Sequence, residues 1–118
     1  MYNTNEKKAG DNMSIRADMI RGHTETIILA HLMKGNSYGY EINKSIKEKT
    51  NDKYELNDAT LYCAFRRLEE MGYITSFWGE GNSGARRRYY SITNEGIEFY
   101  KKNIEEWKLT KELIDKLI

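Results

Sequence analysis

The sequence predicts a mainly α chain with one small β-hairpin, a winged helix-turn-helix followed by a long C-terminal helix suited to dimerisation. Three observations carry that expectation. Apolar residues recur with helical spacing in three successive segments between Gly22 and Gly72. Alternating texture then replaces the helical spacing on both sides of a glycine-rich stretch, GEGNSGA. Finally, Ile97, Ile104 and Ile118 share one heptad position and Tyr100, Trp107 and Ile114 the other, with Lys111 as the polar break.

Residues 1–17 show no sustained periodicity and are expected to form a flexible arm. The first helix is expected over Gly22–Met33, with Ile27, Ile28, Leu29, Leu32 and Met33 apolar and Gly35 as its stop. Ser37 is expected to cap a second helix reaching about Lys49, in which Tyr38, Ile42 and Ile46 follow at i, i+4, i+8. Residues 50–56 read as a polar connector. A third helix begins near Asn57 or Asp58 and stops at Gly72. It turns Leu61, Phe65 and Leu68 inward, with Ala64 beside them, and Ala59, Tyr62, Cys63, Arg66, Arg67 and Glu70 outward.

Tyr73–Trp78 and Arg86–Ile92 read as the two strands of a hairpin. Thr93 is expected to cap the last helix, with Glu95 favourably placed in its first turn. The domains expected are therefore an arm over 1–17, a winged helix-turn-helix unit over 18–92 and a dimerisation helix over 93–118. The dimer seam is expected to use Ile27, Ile97, Tyr100, Ile104, Trp107, Ile114 and Ile118.

Composition narrows the function. The 118 residues carry 19 Lys+Arg against 18 Asp+Glu, a formal net charge of +1, so any case for nucleic acid rests on where the charges sit. The one cysteine, Cys63, excludes an intrachain disulfide and fits a reducing compartment. No apolar run approaches the ~20 residues of a membrane helix. Residues 1–17 lack the apolar core of a secretion signal, and a cytoplasmic location is expected.

No metal-ligand spacing, cofactor motif or nucleophile–base arrangement stands out, so neither catalysis nor a cofactor is expected. Tyr62, Arg66 and Arg67 on the outer face of the third helix suit a major groove about 12 Å wide. Arg86, Arg87 and Arg88, following Gly81 and Gly84, suit the flanking phosphates. Two other readings stay open: a protein-interaction module of the same fold that binds no DNA, and a redox switch at Cys63.

From Gly22 to Gly96 the chain resembles the PadR family of transcriptional regulators, in its short subfamily with a single C-terminal helix. ILAHLMKGNSYGYEI at 28–42, TLYCAFRRLEEMGYI at 60–74 and GARRRYYSITNEG at 84–96 carry the resemblance. It implies a repressor that dimerises through its first and last helices and binds a palindromic operator in double-stranded DNA.

Carried onto this chain, Ser37, Tyr38 and Tyr40 would lie where the second helix meets the backbone. Thr60 and Tyr62 would begin the recognition helix with Leu61 in the core, and Arg87 and Arg88 would be basic wing residues. Tyr89 and Tyr90 would anchor the returning strand. Some members hold flat aromatic compounds between subunits, which makes Tyr100, Ile104 and Trp107 a candidate effector slot. Cys63 departs from the pattern at a position where proline is common. So do Asn57, Asp58 and Ala59, which stand where a Ser-Pro pair is frequent; Asp58 is expected to cap the helix there.

Overall fold

The computed structural model describes residues 17–81 and 84–118. The expected arm over 1–17 lies almost wholly outside them. Residues 17–21 are helical, and a turn at 22–23 leads into α1, Thr24–Leu32. Gly35, at a φ of +150°, then redirects the chain.

Helix α2 spans Gly39–Lys49. Ser37 does not cap it: Tyr38 is the N-cap, with no side-chain cap bond. Ser37 is instead drawn inward, where its backbone bridges Tyr90 on both sides (Ser37 N–H to Tyr90 O 3.2 Å, Tyr90 N–H to Ser37 O 2.8 Å). Its hydroxyl donates to Glu41 at 2.5 Å.

The connector after α2 is less polar in effect than its composition. Tyr54 and Leu56 are buried in the core. The Asn43 side chain brackets Leu56, donating to its carbonyl at 2.7 Å and accepting from its N–H at 2.9 Å. That bracket fixes where the next helix starts.

Helix α3 spans Asp58–Glu70. Asn57 caps it, accepting from Thr60 N–H at 2.8 Å. Asp58 therefore does not cap. It is the first helical residue, where its charge still meets the positive end of the helix dipole. Leu61, Ala64, Phe65 and Leu68 are buried, as their spacing predicts. Beyond Glu70 the chain turns through Gly72, whose φ of +82° suits glycine.

Strands β1, Ile74–Glu80, and β2, Arg86–Ile92, pair antiparallel from Ile74↔Ile92 out to Glu80↔Arg86. The first strand runs two residues further than its apolar texture marks, because Glu80 still finds a partner in Arg86. The root of the hairpin is buried at Ile74 and Tyr90, and Tyr90 stacks on Phe65 with centroids 3.9 Å apart.

Helix α4, Asn94–Leu117, is one unbroken helix, so Ile118 falls just past its end and is fully exposed. Thr93 caps it, accepting from Gly96 N–H at 3.0 Å and donating to the Gly72 carbonyl at 2.7 Å. Its first half lies on the body. Phe99 stacks on Tyr73 (4.2 Å), Asn103 donates to Thr26 (3.0 Å) and Trp107 meets His23 edge-on (4.7 Å). From residue 105 to the end every position is exposed.

Candidate nucleic-acid interface

Helix α3 buries one side against Ile28, Leu29 and Ile42, which turns the other outward. Tyr62, Cys63 and Arg66 are exposed there, and Thr60 is half-buried. Tyr62 tilts against Phe65 at 5.6 Å, with its hydroxyl beside Gly39. A Cβ at Gly39 would come within 2.5 Å of that oxygen, so any larger residue there would push the Tyr62 hydroxyl off the start of α2. Arg67, on the same outer side, is committed: its Nε reaches Glu25 of α1 at 2.8 Å. Sequence spacing gives no sign of that pair, which joins residues on different elements.

The three wing arginines divide by strand alternation. Arg87 stacks its guanidinium on the Tyr38 ring at 4.0 Å, and Tyr38 in turn meets Tyr89 edge-on at 5.4 Å. A guanidinium held by its face keeps its N–H edges free for an anion. Arg88 faces the other way, donating to Ser76 at 2.9 Å and pairing with Glu69 at 3.3 Å. Ser76 also donates to Glu69, at 2.6 Å. Arg88 thus braces the wing against the end of α3, and its free charge is partly spent. Burial pushes the Tyr90 phenol above its usual range, against the opposing pull of Arg88.

Tyr38, Tyr40, Thr60, Tyr62, Arg66 and Arg87 therefore border one continuous face formed by the start of α2, the outside of α3 and the wing, while Arg86 lies on the other side of the hairpin, beside Trp78. Ser37 belongs beneath that face rather than on it, being only 7% exposed with its hydroxyl engaged by Glu41.

A second feature lies away from this face. Met19, His23, Ile27, Ile104, Trp107 and Ile114 line an apolar groove of about 740 Å³ between α4 on one side and residues 17–21 with α1 on the other. Ile104 and Trp107, two of the residues expected to form an effector slot between subunits, line this groove within one chain. Tyr100 does not line it, because that turn of α4 packs directly on the core. His23 and Met19 were not foreseen as lining residues, since they precede the clear periodicity.

The family model described as "Transcriptional regulator PadR-like family" matches residues 28–102, which takes in both helices of the turn, the wing and the start of α4. The chain belongs to the PadR-like family of transcriptional regulators. The structure of a transcriptional regulator from Clostridium thermocellum superposes with a TM-score of 0.79 at 53% identity, over 86% of this chain and 96% of that one. A PadR family transcription regulator from Clostridium difficile matches with a TM-score of 0.71 at 33% identity, over 80% of this chain and 97% of that one. A Lysinibacillus sphaericus protein of unassigned function is 40% identical over 101 residues, 86% of this chain and 93% of its own length.

PadR-like membership makes the chain a transcription regulator rather than an enzyme. No helix among the described residues is long and apolar enough to cross a membrane.

Proposed function

We propose that this PadR-like regulator is a cytoplasmic repressor that binds a palindromic operator as a homodimer. The α3–wing face carries the DNA reading. An exposed helix with Tyr62 and Arg66 stands beside Arg87, whose guanidinium is pre-positioned on Tyr38. A helix in the major groove with a basic hairpin on flanking phosphates is an economical use of that arrangement.

The dimer reading rests on α4. Its distal half leaves Leu109, Leu113, Ile114 and Leu117 exposed, and it borders an apolar groove that a second α4 and its α1 can fill. Apolar area of this extent on a helix left uncovered among the described residues is the mark of an oligomer surface. Two copies related by a twofold axis present two recognition helices to two half-sites. A planar aromatic compound that entered the groove beside Trp107 would bias the spacing of those helices and release the operator.

Selection of bound duplexes from a random-sequence library, with light scattering on the same preparation, tests both parts. The expected result is a dimer that recovers an inverted repeat. Truncation after Lys102 should leave a monomer that recovers none. A monomeric full-length chain, or a selection without consensus, would overturn the reading and favour a protein-interaction module.

A further inference from the structure

Trp78 lies outside the face that Tyr62, Arg66 and Arg87 border. It sits on β1, 57% exposed, on the same side of the hairpin as Ser76, Arg86, Arg88 and Tyr90. Its cross-strand partner is Arg88, and the Arg86 and Arg88 guanidiniums stand 5.7 and 6.0 Å from its ring. The described residues leave it largely uncovered. The position is nevertheless fixed: two residues inward, Ser76 pairs with Tyr90, and Tyr90 is stacked on Phe65 of α3. The indole therefore projects roughly 7 Å beyond the point where the wing is fastened to α3.

We propose that Trp78 enters the minor groove beside the half-site and reads its width, an inference that rests on the DNA-binding reading above. A helix seated in the major groove brings a hairpin fixed at its side over the adjoining phosphate ridge and the groove beyond. That groove is about 6 Å wide, so a flat ring entering edge-on meets deoxyribose on both walls. The charge pattern favours an apolar contact here over a phosphate clamp. Arg88 is engaged by Glu69, and Glu80 stands across from Arg86 in the strand register, so this side of the wing is only weakly basic. Arg86 flanks the ring, and its guanidinium is drawn to the deeper negative potential of narrow A·T-rich grooves. The partner is thus duplex DNA with A·T-rich sequence next to the bases that α3 reads. Apolar side chains at minor-groove steps act in this way by trading stacking for contact with a deformed duplex.

The test compares wild type, Trp78→Phe and Trp78→Ala in selection from a random-sequence duplex library. Affinity for the wild-type consensus is then measured over a salt series, with thermal melting as a control for fold. All three should recover the same half-site core. Trp78→Ala should lose the A·T enrichment beside it and bind about tenfold more weakly, with an unchanged salt slope because no charge is lost. Trp78→Phe should fall between. Unaltered flanks with unaltered affinity, or an equal loss on all duplexes together with a lowered melting temperature, would overturn the proposal. A wild type that recovers no consensus would instead remove the DNA-binding reading on which it rests.

Discussion

Trp107→Ala takes away the broadest side chain of the α1–α4 groove. In the single chain Trp107 is 40% exposed. A tryptophan buries up to about 250 Å², so a partner that closes the groove removes a further ~100 Å² of it from water. At ~25 cal/mol per Å² this amounts to ~2.5 kcal/mol for each subunit. Twofold symmetry counts the loss twice, ~5 kcal/mol per dimer. Ordering of side chains on association offsets part of any such figure, and ~1.4 kcal/mol surviving is still a tenfold change. The dimer dissociation constant should therefore rise by between about tenfold and a thousandfold. The Phe99–Tyr73 stack and the Asn103–Thr26 bond hold the first half of α4 without Trp107, so the variant should keep its helix content. Sedimentation equilibrium over a concentration series, beside wild type, measures the change. A constant within about threefold of wild type would refute the placement of the seam on this groove.

Arg87→Ala should weaken binding to all duplexes and lower the salt slope by about one unit, whereas Arg88→Ala, already paired with Glu69, should lower it less. Equal slopes for the two variants in a salt titration would contradict that division. Gly96→Ala should cost about 3 kcal/mol or more in urea unfolding. A Cβ there overlaps the Tyr73 carbonyl oxygen and meets Ile92 Cγ1 at 2.8 Å, and wild-type stability would show that the wing root gives way more easily than its packing indicates. His31 supplies the pH dependence. Burial holds its pKa below the usual 6.5, with a contrary pull from its bond to the Ile27 carbonyl and a small addition from Lys49 and Lys34. The unfolded chain therefore takes up the proton first, and stability should be constant above about pH 7 and fall as pH drops below 6.5 toward the folded value. His31→Gln should flatten that part of a stability–pH curve, and an unflattened curve would assign the dependence to other groups.

Local signals marked the elements well because each had its own chemistry. Asn57 and Thr93 are side chains that can accept from the helix start, and both bonds form. The glycine-rich stretch separates two alternating runs, and the two strands lie there. Long-range choices were not legible. Whether Ser37 caps a helix or bridges to Tyr90 depends on residues fifty positions away. Tyr54 and Leu56 lie in a polar segment with no period, and side chains of α2 and its end hold them in place, the Asn43 amide at Leu56 and the Thr50 hydroxyl at Tyr54. The arginine triplet pointed to phosphates as a group. Alternation along the strand, together with the positions of Tyr38 and Glu69, gives its members different tasks. Leu109, Leu113 and Leu117 also escaped the heptad reading, because they follow an i, i+4, i+8 line on another side of α4.

The Ser37–Tyr90 bridge has a mechanical consequence. It adds a short third edge to the hairpin, and Tyr90 is at once clamped to Phe65. The wing is therefore stiff at its root and cannot swing to meet whatever duplex arrives. Misfit has to be absorbed by the nucleic acid, whose compliance varies with sequence: pyrimidine–purine steps yield and A-tracts resist. Two sites with identical contacted bases would then be ranked by how readily the uncontacted steps between them flex. Slow hydrogen exchange at the Ser37 and Tyr90 amides would report the stiffness that makes such ranking possible.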